Sequence, residues 1–123
     1  MLVERRRAER DRRESLRVES VFAVKSRSRG RIQLGQAEDV CPGGMTLRRP
    51  RDGAYTAGTA LELTFVLPGG GPVIEVAAEV VSDRAAGAFR RAGIRFTAIT
   101  LAHEQFITAY CLARLGRELA AAV

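Results

Sequence analysis

Tryptophan is absent from this 123-residue chain, histidine and lysine occur once each (His103, Lys25), and cysteine occurs twice (Cys41, Cys111). Each shortage excludes something. Two distant cysteines and one histidine make neither a disulfide framework nor a zinc site, so both thiols are expected to be reduced. A lone histidine without a serine or cysteine in its sequence context, and carboxylates scattered along strands, offer no nucleophilic or acid–base constellation. No enzyme and no cofactor are therefore expected. Aromatic residues make up 6% of the chain. Only Phe22, Tyr55 and Phe89 are candidates for outward-facing rings, too few for the stacking platform of a nucleic-acid-binding barrel, so no long nucleic acid is expected as a partner. No apolar run approaches the ~18–20 residues of a membrane-spanning helix. The N-terminus is charged from Glu4 onward, without the apolar core or cleavage site of a secretory signal, and a cytoplasmic protein is expected.

What the chain has in quantity is arginine, with 19 of its 20 basic residues of that type and a net charge of +6. The first 19 residues hold seven arginines (5, 6, 7, 10, 12, 13 and 17) against five acids, a net of +2. Acid–base pairs at helical spacing (Arg5/Glu9, Glu9/Arg13, Arg10/Glu14) suit a short solvated helix or arm. It has no wide apolar face, so its order depends on a partner or on the body of the domain.

From Val18 onward the pattern is that of strands. Residues 21–24 read as one strand, Ser26 to Gly30 as a polar turn, and Arg31 to Leu34 as the start of a second strand running toward Asp39. Pro42-Gly43-Gly44 interrupts the ladder and Met45-Thr46-Leu47 resumes it. Leu61, Leu63, Phe65 and Leu67 alternate with Glu62, Thr64 and Val66, the period of a strand with one face in a core. Residues 68–72 form a hairpin loop. Ile74, Val76, Ala78 and Val80 then alternate again, and a turn spans roughly Ser82 to Gly87. Ala92, Ile94, Phe96 and Ala98 form the last alternating set. Five or more short strands at close spacing favour a closed or nearly closed antiparallel barrel. Phe106, Ile107, Tyr110, Cys111, Leu115 and Leu119 recur at helical spacing, predicting one amphipathic helix over 102–120. Its stripe needs a cover, either the open end of the barrel or a second copy of the chain. The chain thus divides into an arginine-rich arm (1–18), whose expected role in ligand binding rests on the motifs below, a barrel (19–100) and a C-terminal helix (101–123).

Two stretches stand out. Arg12-Arg13-Glu14-Ser15-Leu16-Arg17 offers planar cations that fork onto phosphates and stack on bases. Asp39-Val40-Cys41-Pro42-Gly43-Gly44 offers a turn with a carboxylate acceptor and a close-approach backbone. Taken singly, the first is a solvated face and the second a tight turn. Together they describe a pocket for a small anionic nucleotide.

In that order, the two stretches resemble the signatures of the PilZ domain family: arginine-xxx-arginine before the first strand, and Asp/Asn-x-Ser-x-x-Gly closing the second. Arg13 and Arg17 fit the first, Arg12 adds the leading arginine of many members, and Asp39 to Gly44 fits the second with Cys41 in place of serine. Leu67-Pro68 and Gly93-Ile94-Arg95-Phe96 extend the likeness over about residues 4–112. The resemblance implies a mainly β fold, a six-stranded antiparallel barrel with a C-terminal helix, binding the bacterial second messenger cyclic di-GMP. It implies Arg12, Arg13, Arg17, Asp39, Cys41, Gly43 and Gly44 as ligand-binding residues, with an intercalated ligand dimer associated with an arginine at Arg12. Guanine O6 and N7 suit an arginine fork, and Asp39 would accept from the guanine N1–H and N2–H₂ edge. Gly44, lacking a Cβ, would let the base approach the backbone. Ligand phosphates would quench repulsion within the arm and fold it onto the barrel, altering the surface shown to an effector protein. A PilZ-like adaptor that binds no nucleotide is the alternative, since a thiol donates more weakly than a hydroxyl.

Overall fold

The structure, a computed structural model, describes residues 16–51 and 53–121. Alternation in sequence becomes alternation in burial. Leu61, Leu63, Phe65 and Leu67 are buried, as are Ile74, Val76, Ala78 and Val80, while Glu62, Val66 and Glu75 between them are exposed. Among the described residues this pattern yields six strands, β1 (Val18–Ser28), β2 (Arg31–Cys41), β3 (Gly44–Pro50), β4 (Ala60–Phe65), β5 (Ile74–Ala86) and β6 (Phe89–Ala98), followed by one helix, α1 (Leu101–Ala121). The strands close into an antiparallel barrel in the order β1-β2-β3-β6-β5-β4, with β1 pairing β4 at Val24↔Phe65. Closure gives every strand a partner on both sides over part of its length. A mainly β barrel of six strands with a C-terminal helix is the fold expected from the sequence.

Two expected turns are shorter than their polar composition implies. β1 runs through Ser26 to Ser28, and only Arg29 and Gly30 turn the chain, with φ of 52° and 76°. Two successive positive φ values are what a two-residue hairpin needs to match strand twist. Ser26 is buried on the ladder, its hydroxyl donating to the Gln33 carbonyl at 3.3 Å. Likewise β5 continues through Ser82 and Asp83 to Ala86, and Gly87 begins the turn. Phe22 faces inward rather than outward, its ring 5.4 Å from that of Phe65. Ala98 is exposed, although it belongs to the alternating set of β6.

α1 begins at a capped turn: the backbone N–H of His103 donates to Thr100 Oγ1 at 3.2 Å, satisfying a group that the first turn leaves open. The helix lies where β1 starts and β2 ends. Ile107 and Cys111 are fully buried there. Tyr110 Oη and Ser20 Oγ are 2.6 Å apart, Arg114 donates to the Glu19 carbonyl at 2.8 Å, and Cys111 Sγ lies 3.7 Å from the Val40 carbonyl. Leu119 is not part of this covered stripe. It is 71% exposed and shares a face with Leu101 and Leu112, also exposed, because separations of 11 and 7 residues are close to whole helical turns.

Candidate functional site

The site is built by one irregularity in β2. Ala37 and Val40 are both completely buried, although strict alternation would put them on opposite faces. A register shift between Ala37 and Asp39 against β3 supplies the extra residue of a β-bulge, so Glu38 and Asp39 both reach the outer wall. Arg91 on β6 donates from Nε to both Glu38 oxygens, at 3.1 and 2.9 Å. Asp39 Oδ1 accepts the Thr46 backbone N–H at 2.8 Å, which fixes the direction of the carboxylate.

Arg17 meets this carboxylate from 22 positions away in sequence, its Nη1 donating to Asp39 Oδ1. The reason is register. β1 opens with Val18↔Val40 and Glu19↔Asp39, so the residue just before β1 comes alongside Cys41. Arg17 Nη2 accordingly lies 3.6 Å from Cys41 Sγ. The Arg17 and Asp39 side chains are 36% and 23% exposed, so the pair sits at the surface, within reach of a ligand.

Cys41 is buried under this guanidinium. Burial pushes its thiol pKa up, opposed by the Arg17 charge and by the backbone N–H groups of Gly43 and Gly44. A thiol held protonated is a poor nucleophile and a poor redox sensor. Pro42 and Gly43 form the two-residue turn between the paired Cys41 and Gly44, and the Gly43 carbonyl accepts the Phe96 N–H at 2.8 Å, tying the turn to β6. Gly44 has a reason of its own within the fold. A Cβ there would lie 2.1 Å from the Ile94 carbonyl oxygen, so only glycine lets β3 approach β6 at this point.

Arg17, Asp39, Cys41, Gly43 and Gly44 are therefore brought together, whereas Arg12 and Arg13 lie outside the described residues. Sequence reasoning missed Thr46, which aims Asp39, and the Glu38–Arg91 pair beside it. The adjacent acids at 38 and 39, breaking the alternation of β2, were the one available signal. Cys111 also belongs to the surroundings of the site, since it rests against the carbonyl of Val40 next to Cys41. Among the described residues no cluster of three or more His, Cys, Asp or Glu is placed to hold a metal ion. No described helix is long and apolar enough to cross a membrane.

Residues 4–113 match the model of the PilZ domain. That covers most of the chain, and the chain belongs to the PilZ domain family. Among solved structures it is similar to the Bacillus subtilis inhibitor of motility MotI/DgrA, with a TM-score of 0.75, 19% identity, and coverage of 82% of this chain and 50% of that one. This chain thus spans half the length of that relative. It is similar to the PilZ domain of YcgR from Escherichia coli, solved with c-di-GMP, at a TM-score of 0.65 and 16% identity over 87% of this chain and 95% of that one. A third similar structure is a tetrameric PilZ domain from Xanthomonas campestris, self-assembled through a helical bundle (TM-score 0.53, 21% identity, 76% and 50% coverage). No curated protein matches the chain by sequence.

Proposed function

We propose that this chain is a cyclic di-GMP receptor that holds its ligand between Arg12, Arg13 and Arg17 on one side and the Asp39–Gly44 turn on the other. The observation that carries this reading is the meeting of Arg17, Asp39 and Cys41 at one half-exposed point of the barrel wall. Membership of a receptor and adaptor family supports it, and so does the ligand reported for the YcgR domain. In this reading Arg17 turns from Asp39 onto a ligand phosphate or a guanine O6/N7 edge. Asp39, still held by the Thr46 N–H, then accepts from guanine N1–H and N2–H₂. No catalysis is assigned. In this reading the protein works in the cytoplasm of a bacterium, since its proposed ligand is a bacterial messenger.

The relay expected through residues 1–18 lies, except for its last three residues, outside the described residues. The described part supplies a second route. α1 rests on the carbonyls of Glu19 and Val40, the neighbours of the site, so any shift of residues 39–41 on binding reaches the helix. Its exposed face at Leu101, Leu112 and Leu119 is the surface we assign to an effector or to a second copy of the chain. The helical-bundle assembly of the Xanthomonas relative supports the latter.

A nucleotide-free adaptor is the second reading. It is favoured by the engagement of Arg17 with Asp39 and by the thiol at Cys41. Calorimetric titration with cyclic di-GMP of the wild type and of Cys41→Ser separates the two. A receptor gives saturable heats in both. One neutral hydrogen bond is worth ~0.5–1.5 kcal/mol, so Cys41→Ser binds equally well or up to about 12-fold tighter. Absence of heat in both proteins supports the adaptor.

A further inference from the structure

A second cationic surface lies on the same barrel wall, toward the opposite end from Asp39. The register places Gln36, Arg48 and Arg91 side by side across β2, β3 and β6, and Pro50 beside Phe89. There a groove of about 470 Å³ is lined by Leu34, Gln36, Arg48, Pro50, Arg51 and Phe89, among others. Its described lining includes three arginines (48, 49 and 51) and no carboxylate. Arg49 is committed to the interior, 3.3 Å from the buried side chain of Asp83. Among the described residues Arg48 is not paired with any opposite charge. Its guanidinium lies 4.4 Å above the Phe89 ring, and Nη2 donates to neutral Gln36 Oε1 at 2.7 Å. Stacking on Phe89 holds the fork flat while leaving its charge unneutralised. Exposed Arg29, Arg31, Arg51 and Arg84 crowd the same end without a carboxylate partner among the described residues. Large apolar side chains are exposed beside them, Leu34 at 70% and Ile32 at 60%.

We infer that this groove docks an acidic segment of a partner protein in which carboxylates alternate with large apolar side chains. The charge complement is direct, because the Arg48 fork and Arg51 suit carboxylates, while exposed Leu34 and Pro50 offer area to apolar groups. The segment is held by these side chains, whose charge and apolar area complement it. Nucleic acid fits less well. The one exposed ring of the groove, Phe89, is already covered by Arg48, and the apolar lining gives a phosphate backbone nothing. This surface goes beyond the reading above: it is separate from the α1 face and needs no nucleotide. It is therefore tested without any, so that its failure and the failure of cyclic di-GMP binding are separate results.

The probe is a fluorescent peptide of alternating glutamate and leucine, followed by anisotropy on the full chain. The expected result is saturable binding that weakens about tenfold or more in Arg48→Glu and in Leu34→Ser and is unchanged in Arg17→Ala. Both groove substitutions are on the outer wall, and thermal melts verify that the variants are folded. Equal binding of a glutamate–serine peptide, affinity indifferent to both substitutions, or displacement of the peptide by a single-stranded oligonucleotide at lower concentration would overturn the inference.

Discussion

Replacing Arg17 with alanine separates the two roles this arginine fills. In the fold it pairs with Asp39 at the surface, with the two side chains 36% and 23% exposed. Exposed ion pairs of this kind contribute ~0.2–1 kcal/mol, and Asp39 keeps its bond from the Thr46 N–H when the arginine is gone. The fold therefore loses about 1 kcal/mol at most, a fall in Tm of roughly 2–8 °C for a domain of this size. On a phosphate or guanine edge the same side chain makes two charge-assisted hydrogen bonds of ~1.5–3 kcal/mol each. Less the surface pair surrendered on turning, the net is ~2–5 kcal/mol, or roughly 30-fold to several thousand-fold in Kd. Calorimetry with cyclic di-GMP should thus show Arg17→Ala losing most of its binding while its Tm falls by no more than roughly 8 °C. Ligand-dependent stabilisation should vanish with it, since that shift follows the ratio of ligand concentration to Kd. Arg13→Ala, its partner in the sequence motif, is expected to lose binding likewise. An unchanged Kd in Arg17→Ala would refute the site. A collapse in Tm would instead make Arg17 a structural residue and its binding loss trivial.

Three further outcomes follow from the packing. Gly44→Ala drives a Cβ against the backbone of Ile94, which cannot yield as a side chain would; we expect ~1–3 kcal/mol lost in urea unfolding, and full stability with binding abolished would return Gly44 to a purely ligand-facing role. Asp83, its side chain completely buried, accepts from Arg49, Arg90 and the Tyr55 N–H. Asp83→Asn leaves Arg49 buried without a counter-charge at a cost of ~3–5 kcal/mol, and a urea midpoint within error of the wild type would disprove that account. Burial pushes the Cys111 thiol from 9.0 up to about 12 and raises that of Cys41 as well. The native state then keeps protons that the unfolded chain gives up, so the stabilisation is complete below pH 9 and is lost as pH rises toward about 12, at up to ~1.4 kcal/mol per pH unit per thiol. Urea midpoints measured along that range should fall less steeply in Cys111→Ala, and parallel slopes would show that the thiol does not carry the effect.

The parts of the barrel that were legible in sequence are those in which each residue's partners are also its neighbours in pattern. Leu61 to Leu67 and Ile74 to Val80 carry a period of two without interruption, and α1 carries 3.6 over its covered turns. β1 is harder because two of its inward residues are serines. With Ser20 and Ser26 facing in, and Val21 62% exposed facing out, the polar–apolar contrast between its faces is erased. Phe22 consequently read as outward. Nothing local satisfies Ser20; its partner, Tyr110, comes from 90 positions away. Asp83 looked like a turn residue for the same reason, since Arg49 reaches it from 34 positions away. The Arg17–Asp39 meeting was anticipated by motif alone, whereas the bulge that turns Asp39 outward has no glycine to announce it.

These illegible polar residues share a place in the architecture. A closed barrel has two mouths, and apolar strand faces alone do not cover a mouth. One is closed by α1, fastened through Ser20–Tyr110 and Arg114–Glu19. At the other the segment after β3 is fastened through Asp83, with the Arg49 guanidinium 3.7 Å over the Tyr55 ring. The first mouth is also where Arg17, Asp39 and Cys41 meet, one residue from the carbonyl under Cys111. A ligand that takes Arg17 from Asp39 therefore acts on the strand ends that carry the helix, while the groove at Arg48 stands on the part of the wall anchored by Asp83. Binding at one mouth and docking near the other can then proceed independently unless the Glu38–Arg91 bridge between them is altered.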